Sequence, residues 1–146
     1  MWKAWDELQA LGLIDAKRPR MLCVQSEATQ PLVQAFESGA TDTSVVAAGQ
    51  TLATGLNVPG GVGHFRVLEI VRASGGVAVA VSESDISSEL SRIWQETRWW
   101  ISPEGAACIA ALPQLLDRGS IRRGERVVAV NTGSAEKYLP ALRHLL

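Results

Sequence analysis

Val77-Ala-Val-Ala-Val81 is an unbroken apolar run, and Ser82-Glu-Ser-Asp85 follows it directly. A run this short, with no alternation of polar residues, reads as a strand covered on both faces. Ser82 and Asp85 have the spacing of a capping box, and Ile86, Leu90, Ile93 and Trp94 then keep helical period. Just upstream, Phe65, Leu68 and Val71 mark a helix that runs from Gly63 to Gly75-Gly76. The order helix, buried strand, helix calls for parallel pairing through crossover helices. The same unit occurs earlier in the chain. Met21-Leu22-Cys23-Val24 reads as a strand, and a helix follows with Thr29 as its cap, Pro31 in its first turn, Leu32, Val33 and Phe36 inward, and Gly39 as its stop. The fold class is therefore α/β, a three-layer αβα sandwich with a mostly parallel sheet, formed as a single domain over residues 1–146.

Outward from this centre the pattern continues on both sides. Trp99-Trp100-Ile101 is too short for a helix and reads as a short strand. Ser102, Pro103 and Glu104 then supply a cap, a first helical residue and an acid in the first turn. That helix runs toward Gly119 and is kinked or interrupted at Pro113. Arg126-Val-Val-Ala-Val-Asn131 reads as the last strand, which Thr132-Gly133-Ser134 turns into a helical segment facing inward with Tyr138, Leu142 and Leu145. Residues 40 to 62 show neither period and read as a long loop, a length that compact domains usually keep for function. At the start, Trp2, Trp5, Leu8 and Leu11 form one stripe of a helix that stops at Gly12. An α/β domain normally opens with a strand. A chain that opens on an apolar helix reads as the second part of something larger, and the stripe is expected to need a partner surface.

Composition narrows the function classes. The 146 residues suit one domain, and 14 Lys plus Arg against 15 Asp plus Glu leave a net charge of −1, which gives no long-range attraction to nucleic acid. No apolar run is long enough to span a bilayer, so a cytoplasmic protein is expected. Cys23 and Cys108 lie in apolar surroundings far apart in sequence and read as reduced core thiols. His64 and His144 lack metal-ligand spacing and read as surface or helix-end residues. HExxH, GxSxG and GxxxxGK[ST] are all missing, and Gly61-Val62-Gly63 lacks the third glycine of the dinucleotide fingerprint. Two strand-to-helix junctions remain as candidate sites, Ser102-Pro103-Glu104-Gly105 and Asn131-Thr132-Gly133-Ser134. On these residues alone plain helix capping is the favoured reading of both, because Ser, Thr and acidic residues at helix starts satisfy orphan donors in nearly every fold.

Five stretches in order add a family resemblance to this reading: Met1-Trp-Lys-Ala-Trp-Asp-Glu-Leu8, Lys17-Arg-Pro-Arg-Met21, Thr51-Leu-Ala-Thr-Gly-Leu-Asn-Val-Pro59, Pro103-Glu-Gly-Ala-Ala107, and Asn131-Thr-Gly-Ser134 with Lys137-Tyr138. Together they resemble the C-terminal part of the threonine synthases, which are fold type II pyridoxal-phosphate enzymes of the tryptophan-synthase-β-like group. The resemblance implies conversion of O-phosphohomoserine and water to threonine and phosphate. It implies that the hydroxyl of Thr132, in the turn with Gly133, meets the pyridine nitrogen of pyridoxal 5'-phosphate, and that Ala53, Thr54, Gly55 and Glu104 line the cofactor ring. A neutral hydroxyl suits an unprotonated ring nitrogen, whereas a carboxylate would hold the ring as a pyridinium and strengthen it as an electron sink.

The sequence also departs from the family. Its Schiff-base lysine and Gly-rich phosphate loop belong to a part of the enzyme that precedes these residues. Lys3, Lys17 and Lys137 do not match the lysine motif, so the chain alone is expected to be inactive, with no catalytic residue of its own. Ser134-Ala135 stands where the family more often has glycine after the serine. The expected partners are a missing N-terminal half carrying the lysine and a phosphorylated amino acid, with self-association and with neither nucleic acid nor membrane. A related lyase of the threonine or serine dehydratase kind, and a non-catalytic binding module that kept the fold, are the alternatives.

Overall fold

In a computed structural model, which describes residues 1–142, the chain forms helices on both faces of a short parallel sheet. The elements are α1 (Trp2–Ala10), β1 (Cys23–Ser26), α2 (Pro31–Glu37), α3 (His64–Ala73), β2 (Ala78–Val81), α4 (Glu83–Thr97), α5 (Pro103–Ala110), α6 (Leu112–Asp117) and α7 (Leu139–Leu142), with 3₁₀ turns at Thr54–Leu56 and Ala135–Tyr138. β1 and β2 pair in parallel with Val24 beside Val79 and Ser26 beside Val81. Successive side chains of a strand point to opposite faces. Val24, Val79 and Val81 accordingly join a core with Ile86, Leu90, Ala106 and Ala107 of α4 and α5, while Cys23 turns to the smaller cluster of Leu32, Ala35 and Leu68 from α2 and α3. The three layers are those expected from the alternation of strands and helices.

Capping explains where two of these helices start. Ser82 Oγ accepts the Asp85 N–H and opens α4, as the spacing implies. α2 starts differently. Thr29 does not cap it; Gln30 is the N-cap residue and contributes no side-chain bond. The orphan N–H groups of Leu32 and Val33 go instead to the buried Gln25 Oε1, at 2.9 and 3.2 Å. A strand residue thus caps the helix it feeds, which no local pattern announces. Thr29 is buried and tied to the long loop, donating to Asn57 Oδ1 at 2.8 Å and accepting the Gly49 N–H at 3.0 Å. Glu83 adds two further ties, taking the Ser26 hydroxyl at 2.6 Å and the Leu52 N–H at 2.9 Å. Residues 49 to 57 are thereby fixed over the carboxyl ends of both strands, the end where open α/β sheets bind ligands.

Other expectations are corrected. The first strand is displaced from Met21–Val24 to Cys23–Ser26. Trp99-Trp100-Ile101 is no strand, and Ile101 makes a single antiparallel bridge to Ser134. Residues 126 to 131 do not join the sheet: all are exposed, Val128 at 79%. A strand exists only where a neighbour takes its N–H and C=O groups, and among the described residues none does. On β2 the Ala80 carbonyl is taken by Gln114 Nε2 at 2.8 Å rather than by another strand. At Pro113 the expected break does occur, dividing the helix into α5 and α6. His64 opens α3 but is buried, with Nδ1 2.8 Å from Thr43 Oγ1, while His144 and Leu145 lie outside the described residues. α1 buries no residue fully, and Leu8 and Leu11 stay exposed. No described helix is long and apolar enough to cross a membrane.

Both cysteines are free thiols. Burial, with Cys108 second, pushes the Cys23 thiol up to about 11, and burial followed by the Glu104 charge raises that of Cys108. Ellman's reagent at about pH 8 is therefore expected to modify Cys23 only slowly until the chain is unfolded in guanidinium. Replacing Gln25 by Ala leaves two buried N–H groups without an acceptor, and urea titration is expected to show a loss of about 1–3 kcal/mol.

Candidate functional site

The first turn of α5 collects the residues of interest. Ser102 is its N-cap: fully buried, it accepts the Gly105 N–H through Oγ at 3.3 Å. Its own N–H and hydroxyl both go to Asn131 Oδ1, at 3.1 and 3.2 Å. Gly105 makes this approach possible, because a Cβ there would lie 2.4 Å from the same Asn131 oxygen. The two junctions picked out from sequence, which are 29 residues apart, are therefore one structural unit. Ser134 continues the turn as the cap of the 3₁₀ segment, its Oγ accepting the Glu136 N–H at 3.2 Å, and the Ala135 N–H reaches the Trp100 carbonyl at 3.4 Å.

Glu104, only 8% exposed, points its carboxylate at two other segments. Oε1 accepts the Gly55 N–H at 2.8 Å and the Tyr138 hydroxyl, while Oε2 is buried with no partner among the described residues. Burial pushes this carboxyl up; hydrogen bonds, first from Tyr138 and then from backbone N–H groups including that of Gly55, outweigh it and leave the group below the usual carboxylate range. A side chain on Gly55 would begin 2.7 Å from Oε1, so glycine alone fits without displacement. Thr54 Oγ1 lies 3.5 Å from the Tyr138 oxygen, and the Lys137 ammonium stands 4.8 Å from the centre of the Tyr138 ring. The adjoining Tyr138 side chain, ahead of the Glu104 charge, raises the Lys137 amine.

The six residues singled out in the sequence have different positions here. Thr54, Gly55 and Glu104 meet around Tyr138. Thr132 is exposed and makes no hydrogen bond among the described residues, and Gly133 beside it is half-buried next to Lys137. Ala53 is wholly buried in the main core, so it supports the loop from beneath rather than presenting a side chain. Asn131 and Tyr138 are the additions. Tyr138 reads from sequence as a core-facing residue, and its contact with Glu104 spans 34 positions with no local signal. No group of His, Cys, Asp and Glu able to hold a metal ion occurs among the described residues.

Residues 4–133 match the family model described as pyridoxal-phosphate dependent enzyme. The chain belongs to this family. It is 31% identical over 137 residues to the threonine synthase of Methanocaldococcus jannaschii, covering 94% of this chain and 34% of that protein. The threonine synthase of Methanosarcina acetivorans is 32% identical over 133 residues, covering 91% and 33%. The chain thus spans about a third of the length of these curated relatives. Among solved structures, a threonine deaminase of T.th. shares 26% identity at a TM-score of 0.55, over 66% of this chain and 30% of that one. The processed threonine deaminase isoform 2 of Solanum lycopersicum reaches a TM-score of 0.64 over 94% of this chain and 38% of its own, at 18% identity, a likeness of fold alone.

Within a pyridoxal-phosphate dependent enzyme, an exposed hydroxyl with no partner among the described residues, set on a turn fixed from both sides, is compatible with an aromatic nitrogen acceptor. Thr132 meets that description, so the residues present fit the cofactor. Replacing Asn131 by Ala removes the acceptor for two Ser102 donors. Amide exchange at Gly133 and Ala135 is expected to quicken, with a loss of about 1–3 kcal/mol in urea titration.

The lowered Glu104 carboxyl contributes stability that is present above the unfolded carboxylate value and is lost as pH falls through the folded value. Thermal melts on the acid side are expected to fall less steeply with pH in Glu104→Gln than in the unaltered chain.

Proposed function

We propose that the chain forms the C-terminal wall of a threonine-synthase-type site, acting on O-phosphohomoserine and water to give threonine and phosphate, with the lysine and the phosphate-binding loop supplied by residues outside this sequence. The observation that carries the reading is the exposed Thr132 hydroxyl, without a partner among the described residues, together with the relatedness to threonine synthases across most of the chain. Pyridoxal phosphate, when bound, supplies an electron sink for the substrate's carbanion. Thr132 would hold the ring by donating its hydroxyl hydrogen to an unprotonated nitrogen, Gly133 would keep the turn beside it free of a side chain, and Thr54, Gly55 and Glu104 would make up the neighbouring wall. Lys3 pairs with Glu7 on exposed α1, so none of its features suggests a reacting amine. The chain works in a reducing cytoplasm, as its two free thiols suggest, and alone it is inactive.

The exposed edge at Val127, Val128 and Val130 and the uncovered stripe of α1 support contact with the complementary part of the enzyme, or self-association where that part is absent. A related lyase is the second reading, favoured by the likeness to a threonine deaminase at 26% identity. One chimera separates the two. Residues 1–146 replace the matching third of the M. jannaschii enzyme, and cofactor absorbance, phosphate release and ammonia release are measured. Cofactor uptake with phosphate release from O-phosphohomoserine is the expected result; ammonia from threonine without phosphate release would establish the second reading, and failure to take up cofactor overturns both. Thr132→Val in the active chimera is expected to lower turnover roughly 10- to 100-fold, the worth of one hydrogen bond of about 1–3 kcal/mol. Unchanged turnover would reduce the hydroxyl to a solvated one.

A further inference from the structure

One helical turn holds both arms of the segment that carries Thr132. Asn131, before it, is fixed by Ser102, and Tyr138, after it, is fixed by Glu104. Between these anchors the Lys137 side chain folds back, with its Nζ over the Tyr138 ring and its Cε and Nζ 3.5 Å from where a Cβ on Gly133 would stand. The same Glu104 oxygen that takes the Tyr138 hydroxyl also takes the Gly55 N–H, so a single atom joins α5, the 3₁₀ turn at Thr54–Leu56 and the 3₁₀ turn at Ala135–Tyr138. We infer that Glu104 is a positioning residue of the site: its ionised carboxylate latches Tyr138 and the Gly55 loop together, and through Tyr138 and Lys137 it sets where the Thr132–Gly133 turn stands.

The physical reasoning turns on charge rather than on the number of acceptors. Ionised, Oε1 accepts from both Gly55 and Tyr138 with charge assistance, and such bonds are about twice as strong as neutral ones. Oε2, with no partner among the described residues, takes the proton first, and Oε1 is then left as a neutral carbonyl oxygen that keeps its lone pairs and loses acceptor strength. Tyr138 and Lys137 from the 3₁₀ segment act on the carboxylate, and Cys108 on α5 feels its charge. The Gly55 segment brings only a backbone N–H and the Thr54 hydroxyl. Direct lining of the cofactor ring is thus a lesser part of what Glu104 does, and its role in the proposed site rests on that reading of the Thr132 turn.

The chain contains one tyrosine, so a Tyr138 signal is unambiguous. The chain is labelled with ¹³C at the tyrosine Cζ and uniformly with ¹⁵N, and followed by NMR from neutral pH downward. The Tyr138 Cζ resonance and the Thr132 and Gly133 amides are expected to move together, with one midpoint below the ordinary carboxylate value. In Glu104→Gln this joint movement is lost, while any part due to the nearby Glu136 carboxyl remains. Tyr138 moving while the two amides stay still overturns the inference, and so do amides that titrate unchanged in Glu104→Gln. Should Glu104→Gln fail to fold, Tyr138→Phe decides: loss of the amide movement supports the latch, and its persistence overturns it. A chimera that takes up no cofactor leaves this titration unaffected, so the latch and the proposed function fail separately.

Discussion

The first turn of α5 has to satisfy its own orphan N–H groups, and the way it does so organises everything around the candidate site. Ser102 caps the helix through its hydroxyl, and the same hydroxyl holds Asn131. Glu104, two residues on, carries a buried charge that must be compensated, and the compensation comes from Gly55 and Tyr138. A buried carboxylate without such donors would be strongly unfavourable. The demand for partners is therefore what draws the long loop and the closing segment onto the same helical turn. Gly55 and Gly105 are the positions where this convergence leaves no room for a side chain.

Against this dense region stands an edge with no neighbour. Residues 126 to 131 carry the composition of a central strand but meet solvent, and α1 presents an apolar stripe that nothing covers fully. The two features lie at opposite ends of the sequence and have one physical cause, an apolar surface that the described residues do not bury. The relatives are about three times as long as this chain, and exposed apolar surface of this kind is the sort that partner surfaces cover. Asn131 is the point where the uncovered edge passes into the fixed turn.

The electrostatics of the turn are mixed in sign. Thr132 is neutral, Lys137 is a cation held over an aromatic ring, and Glu104 is an anion turned inward toward Tyr138 and Gly55. A carboxylate spent on protein donors differs in effect from one aimed at a ring nitrogen, since only the latter stabilises a protonated ring. The deaminase neighbours share the layers as a matter of fold, so the choice among reactions rests on the side chains.

Periodicity determined the layers. The apolar run at 77–81, the helical stripe of Ile86, Leu90 and Ile93, and the Ser82 and Ser102 caps are local signals, because their physics acts within one strand or one helical turn. The family resemblance, too, was carried by short motifs in order, and the match over residues 4–133 agrees with it. Tertiary structure decided what depends on distant partners. Gln25 replaced Thr29 as the acceptor at α2, since a helix accepts whichever oxygen the neighbouring strand brings within reach. The run at 126–131 has strand composition, yet a strand needs a second backbone to take its hydrogen bonds, and composition does not supply one. Glu104 and Tyr138 are each ordinary in sequence, a first-turn acid and an inward aromatic. Only folding brings them together, because a buried charge selects its donors by proximity in space and is indifferent to their separation along the chain.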